Sequence, residues 1–261
     1  MAELLADLRA ETASLDGLLR PLRPEEWELA TPAEGWAVRD QVSHLAWFDD
    51  AATAVVTRPG GPPGMTSVDD LVAEARGMPP DELYAWFGTA RARSLEAFAT
   101  LGARDRVPWY GPDMSGASFV TARLMETWAH GQDVADGLGV VREPTDRLRH
   151  VAMIGFRAMG YSFLVNGLPA PAEPVRVELV TPGGEPWTAG PDDAGAVVRG
   201  PMLDFCLVVT QRRHLDDTAL ESAGATARAW LAIAQAFAGP PGSGRAPGSG
   251  AASGGVQGHA G

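Results

Sequence analysis

The sequence has no lysine; all 21 of its basic residues are arginine. That excludes Schiff-base chemistry and the lysine of a phosphate-binding P-loop. It has a single cysteine, Cys206, so neither a disulfide framework nor a Cys-type zinc finger is possible within one chain. No uninterrupted apolar run approaches the ~20 residues of a membrane-spanning helix. The N-terminus, MAELLADLRAE, carries charges where a secretory signal needs an apolar stretch. No run of basic residues relieves the net charge of −12. A nucleic acid or an anionic membrane demands a basic patch, so neither is expected as a partner. What remains is the expectation of a soluble cytoplasmic protein that meets small molecules, as monomer or homodimer.

The 261 residues, 45% of them hydrophobic, suffice for one large or two ordinary domains. Leucines at 4, 8, 15 and 18 line one face of a helix over residues 2–20, although Glu11 falls inside that face. Pro21 and Pro24 end it. Residues 25–36 form a loop bracketed by Trp27 and Trp36, which read as core anchors. A second helix covers 37–57. Ser67 caps a short one, and Pro79 and Pro80 start a long one to about Leu101. VPWYGPDMSGAS, residues 107–118, is a loop leading into the helix around which the chain is organised. Residues 145–166 give another helix, with His150 near its start as a surface or capping residue.

From residue 167 the composition changes. GLPAPAEP is a linker by its proline content. VRVELVT alternates in the strand manner, EPWTAG follows a Pro-Gly-Gly turn, and AGAVVRG is a third short strand. Residues 201–213 read as a buried helix, with strand as the rival assignment because of their β-branched content. Residues 214–224 form a polar connector, and 225–239 a final amphipathic helix. The tail 240–261 lacks periodicity and is expected to be disordered; His259 within it plays no part. The expected organisation is a helical domain over 1–166, a small α/β domain over 167–239, and that tail.

The central stretch, TARLMETWAHGQDVAD over residues 121–136, places Glu126 and His130 four residues apart. On a helix both side chains share one face a turn apart, close enough to hold one metal ion. Arg123 and Asp133 fall within roughly 60° of Glu126 on the same helix. The surrounding positions are apolar or small, so the polar cluster is buried and needs partners or a metal. A bare ion pair between Arg123 and Glu126, with His130 incidental, is the plainer reading. His44 shifts the balance: it lies mid-helix in a sector with Ala37, Trp47, Phe48, Ala51 and Val55, pointing into the interior. Two histidines and a glutamate from facing helices would leave coordination positions open, as catalytic sites do and structural sites do not. Asp40 or Asp133 would then either orient a ligand histidine or be a solvated charge. Trp109, Tyr110, Met114 and Ser115 either line the mouth of a metal pocket and touch its cofactor, or simply pack the helix entry.

GWAVRDQVSHLAWFD, followed far downstream by RLMETWAHGQDV, resembles the metal-binding N-terminal domain of the mycothiol-dependent maleylpyruvate isomerases. That domain belongs to the DinB-like four-helix bundles. VVRGPMLDFCLVVTQRR is similar to the family's second domain, and the likeness spans roughly residues 5–235. The resemblance implies a mainly α fold, a DinB-like bundle followed by a small α/β domain. It assigns the metal to His44, Glu126 and His130. It also implies an arginine at the end of the second-domain helix reaching the active site, Arg212, or Arg213 if the register slips by one. The ending QRRHLDDT…AQAFAGPPGSGR resembles an actinobacterial subgroup of metal-binding proteins.

The resemblance further implies a divalent metal, zinc first and nickel, iron or manganese as alternatives, together with mycothiol. A metal holds a thiol as thiolate, which adds to a small electrophile; isomerisation or S-transfer follows. Arg212 would pair with a carboxylate of substrate or cofactor, and Arg123 would do the same or neutralise Glu126. Arg212 and Arg213 read equally well as a cationic helix end that complements the dipole. Two other functions stay open: a non-catalytic metal- or ligand-binding module, and a thiol-independent metal-dependent hydrolase or lyase.

Overall fold

The computed structural model describes residues 1–248 apart from 59, 66, 111 and 112, so His259 lies outside the described residues. Four long helices form the bundle: α1 (Ala2–Leu19), α2 (Val38–Thr57), α4 (Pro80–Phe98) and α5 (Gly116–Leu138), with the short α3 (Val68–Ala75) between α2 and α4. α2 packs mainly on α4, and α1 on α5, while α2 also meets α5. The last pairing brings the helix that carries His44 against the one that carries Glu126 and His130. α1 buries Leu4, Leu5, Leu8, Leu15 and Leu19. Glu11 is buried with them because Arg142 and Arg147 both pair with its carboxylate, Arg147 at 3.0 Å. A buried carboxylate is tolerated when opposite charges replace its water.

The 107–118 segment is a small ribbon rather than a plain loop. β1 (Arg106–Val107) pairs antiparallel with β2 (Met114–Ser115), which leads straight into α5. The helix expected over 145–166 breaks at Ala158 into α6 (Leu148–Arg157) and α7 (Met159–Val165). After it comes a four-stranded sheet in the order β4-β3-β5-β6. β3 (Val175–Val180) pairs antiparallel with β4 (Pro186–Ala189) and parallel with β5 (Ala196–Pro201). β6 (Glu221–Ala223) pairs antiparallel with β5 and sits inside the stretch read as a polar connector. α8 (Met202–Val209) settles the helix-or-strand question for its stretch in favour of helix. α9 (Ala225–Leu231) stops eight residues short of the expected end, and the chain beyond it bonds instead to α8, Ala236 N donating to Val209 O at 2.8 Å.

One apolar cluster spans the change from helices to strands, joining Leu8, Phe119, Val120 and Met125 to Val177, Val198, Phe205 and Trp230. A second fills the other end of the bundle around Leu15, Trp27, Val42, Leu45, Leu83 and Phe87. Residues 240–248, expected to be disordered, are held in place. Arg245 bonds to Asp133 at 2.9 Å and to the carbonyl of Pro32, and Gly248 N donates to Asp217. An unperiodic segment can still be fixed when one charged side chain finds a buried counter-charge. Among the described residues no helix is long and apolar enough to cross a membrane.

Candidate metal centre

The helices that carry His44, and Glu126 with His130, each have a defined start. At α2, the Ala37 N–H donates to the Asp40 carboxylate at 2.9 Å, satisfying a free helix-end donor. At α5, Ser115 Oγ accepts from Ser118 N, and Gly139 ends the helix at φ 66°. The facing sides then carry His44, and Glu126 with His130. Glu126 Oε2 lies 3.8 Å from His44 Nε2 and 3.1 Å from His130 Nε2. One donor atom from each of the three lies within 4.8 Å of the others. Ligands at the ~2.0–2.1 Å bond lengths of zinc in tetrahedral geometry stand roughly 3.3 Å apart, a value that the 3.1 and 3.8 Å separations bracket. Two imidazole nitrogens and one carboxylate oxygen suit zinc and its borderline neighbours.

The cluster sits in an aromatic box. Phe48 lies 4.6 Å from the His44 ring, and Trp36 lies 5.5 Å from His44 and 6.1 Å from His130, centroid to centroid. His44 Nδ1 is buried without a hydrogen-bond partner. Burial, together with repulsion from His130 and partly opposed by Glu126, lowers the His44 pKa from 6.5 to about 3. Its lone pair is therefore available over the whole neutral range. Burial alone would raise the Glu126 carboxyl, but its contacts with the His130 and His44 rings and the nearby Arg123 charge outweigh it and hold the group well below its ordinary value. Gln41 was invisible as a functional residue in the sequence; its Oε1 lies 2.6 Å from His130 Nδ1.

Arg123 is buried, with its guanidinium 3.8 Å from Asp49 Oδ1 and over the Phe48 ring at 5.7 Å. Its partner is therefore Asp49 rather than Glu126, and its Nε and Nη2 have no hydrogen-bond partner. Burial lowers the Arg123 pKa, opposed by Asp49 and Glu126. Asp49 also binds Arg91 Nε at 2.6 Å. Neither acidic residue proposed to orient a histidine does so. Asp40 caps α2 and pairs with Arg76 at 3.0 Å, and Asp133 is held by Arg212 and Arg245.

Arg212 and Arg213 are brought onto α5 by a tight turn. Gln211 takes φ 60°, uncommon for a non-glycine residue, and Arg212 N returns to Leu207 O at 2.7 Å. Arg212 then pairs with Asp133 at 2.8 Å and Arg213 with Asp136 at 2.7 Å. Both stand on the helix that carries Glu126 and His130, but each already has a carboxylate. Trp109 and Tyr110 touch Phe48 at 6.2 and 6.0 Å, one ring removed from His44. With Met114 they line a cleft of about 360 Å³ that also takes in Met153, Ile154 and Phe237. His150, expected at the surface, is half-buried in that lining and bonds Asp7 at 2.7 Å. Cys206 is fully buried, its Sγ–H donating to Leu148 O at 3.5 Å, and burial pushes its pKa well up.

Comparison with known proteins follows the same lines. Over 252 residues the chain is 46% identical to Uncharacterized protein MT0041 of Mycobacterium tuberculosis (strain CDC 1551 / Oshkosh), covering 92% of this chain and 97% of that one. Uncharacterized protein Rv0036c of Mycobacterium tuberculosis (strain ATCC 25618 / H37Rv) matches to the same extent. The crystal structure of the mycothiol-dependent maleylpyruvate isomerase has the same fold, with a TM-score of 0.60 at 18% identity over 85% of this chain and 92% of that one. A histidine-to-alanine mutant of that isomerase superposes with a TM-score of 0.63 at 19% identity, with the same coverage. The fold is thus the expected one, a DinB-like bundle followed by a small α/β portion. Residues 8–135, which contain all three clustered ligand-type side chains, match the mycothiol maleylpyruvate isomerase N-terminal domain, and the chain belongs to that family.

Proposed function

We propose that the protein binds one divalent cation, zinc first, through His44, His130 and Glu126. With it the protein uses a low-molecular-weight thiol of the mycothiol kind to isomerise, or transfer sulfur to, a small electrophilic substrate bearing a carboxylate. The observation that carries this reading is the convergence of the three donor atoms within 4.8 Å inside an otherwise charge-balanced interior. Around the cluster, the positive charges of Arg91 and Arg123 match the negative charges of Asp49 and Glu126. A divalent cation would leave two positive charges in a poorly solvated place, where such an excess is costly. A thiolate and a carboxylate are the anions that would restore the balance.

A cation at this site supplies Lewis acidity and lowers the pKa of a bound thiol. The protein's own groups do the rest. Arg123 anchors the substrate carboxylate, since two of its guanidinium nitrogens lack a hydrogen-bond partner. Phe48, Trp36 and Trp109 exclude water and give an unsaturated substrate flat surfaces. Arg212 holds Asp133 and so fixes the C-terminal half of α5. Cys206 is not the thiol, because it is buried and protonated. The family membership supports the same chemistry. Arg212's existing ion pair also favours a second reading, a metal-binding module that performs no reaction.

Cobalt substitution separates them. On adding mycothiol to the Co²⁺-loaded protein, a sulfur-to-metal charge-transfer band is expected, and with maleylpyruvate and mycothiol together, turnover. A full complement of cobalt whose spectrum ignores the thiol would overturn the thiol-dependent reading.

A further inference from the structure

Three hydrogen bonds run in series from the backbone of the 29–37 loop to the metal cluster. Thr31 Oγ1 lies 2.9 Å from the Trp36 carbonyl oxygen and 2.8 Å from Gln41 Nε2. A carbonyl only accepts, so the single hydroxyl proton of Thr31 goes to Trp36. The hydroxyl oxygen is then left as an acceptor, and the Gln41 atom facing it must be the amide NH₂. That fixes the amide's orientation and turns Oε1 toward His130 Nδ1, 2.6 Å away. An amide oxygen has no proton to give, so Nδ1 carries the proton and Nε2 of the neutral ring keeps its lone pair. Reversing the amide would cost the Thr31 hydroxyl its bond to Trp36, and the Gln41 side chain that would have to turn is fully buried.

The consequence falls on the cluster. His130 Nε2 faces Glu126 Oε2 at 3.1 Å. With Nδ1 protonated, both are acceptors, and two lone pairs at that distance call for a cation between them. We infer that Gln41 is the positioning residue of the metal centre. Through Thr31 and Trp36 it holds His130 in the Nδ1–H tautomer, with Nε2 aimed at the ion. This rests on the metal-binding reading above. It also ties the loop to the ligand twice, because the Trp36 ring stacks on His130 at an interplanar angle of 17° while its carbonyl ends the chain of bonds. Groups behind a ligand histidine typically contribute about 10–100-fold in metal affinity.

The test has one arm without metal and one with it. Long-range ¹H–¹⁵N spectra of metal-free protein at about pH 8, where an ordinary imidazole is neutral, report which His130 nitrogen is protonated. The expected result is Nδ1. Protonation on Nε2 in the wild-type protein overturns the inference without any variant. In chelator competition, Gln41→Met is expected to weaken zinc binding about 10–100-fold. Gln41→Glu, whose carboxylate still accepts from Nδ1–H, is expected to stay within about tenfold of wild type, a far smaller loss than removing the acceptor. A folded Gln41→Met protein with wild-type affinity also overturns it. If the wild-type protein takes up no zinc, the proposed function fails, and the tautomer still decides the role of Gln41.

Discussion

His44 keeps its lone pair because burial and a neighbouring imidazole make its charged form costly, drawing its pKa down to about 3. An unfolded chain would protonate the same ring near ~6.5. Between those two values the unfolded state holds a proton that the folded state does not. The contribution of His44 to stability is therefore full above ~6.5 and is lost progressively as the pH falls toward about 3. In metal-free protein, the loss of stability from pH ~7 to pH ~5 is expected to be smaller in His44→Gln than in wild type, by roughly 2 kcal/mol. Urea denaturation at the two pH values measures this; equal losses would mean that His44 is not held neutral. Cys206 shows the same effect of burial on a group that would otherwise react. Its raised pKa predicts no modification by a thiol reagent at about pH 8 in the folded protein and stoichiometric modification in denaturant, read by mass spectrometry. Prompt labelling of the native protein would return Cys206 to consideration as a nucleophile.

At the level of elements, α6 meets α8 through a glycine. A Cβ added at Gly155 would stand 2.6 Å from Val209 Cγ2, and valine is stiff at χ1 and fully buried here. Gly155→Ala gains about 1 kcal/mol of helix propensity but overpacks a closed contact at about 1–3 kcal/mol. Net destabilisation is expected in urea denaturation, and a more stable variant would show that the helices can part freely. Between α2, α4 and α5, Asp49 holds Arg91 and faces Arg123. Asp49→Asn leaves two buried guanidinium groups without their carboxylate and is expected to cost about 3–5 kcal/mol in thermal unfolding. The long helices were legible in the sequence because each carries an apolar face at a 3.6-residue period. β6 was not, since three residues, ESA, hold too little pattern to register. The break at Ala158 has no proline to announce it. Glu126 and His130 could be paired from local spacing alone. Gln41 could not, because its partner is 89 residues away and a neutral amide gives no signal of its own. The Arg123–Asp49 pairing was likewise hidden, since both local and distant carboxylates satisfied the sequence equally.

Across the whole molecule, a chain with a net charge of −12 gathers arginines at a few buried places. Arg91 and Arg123 stand behind the proposed metal site, and Arg212, Arg213 and Arg245 converge on Asp133 and Asp136 of α5. The second group ties the C-terminal portion, including residues 240–248, to the helix that carries Glu126 and His130. Helical bundle, the turn after α8 and C-terminal segment thus all bear on the helix that carries the two proposed ligands. The metal content of the purified protein tests this most directly, measured by elemental analysis after chelator stripping and reloading with zinc. One zinc per chain is expected in the wild type, and almost none in Glu126→Ala or His130→Ala variants that remain folded by circular dichroism. A wild-type protein that retains no zinc, or variants that load as fully as it does, would contradict it.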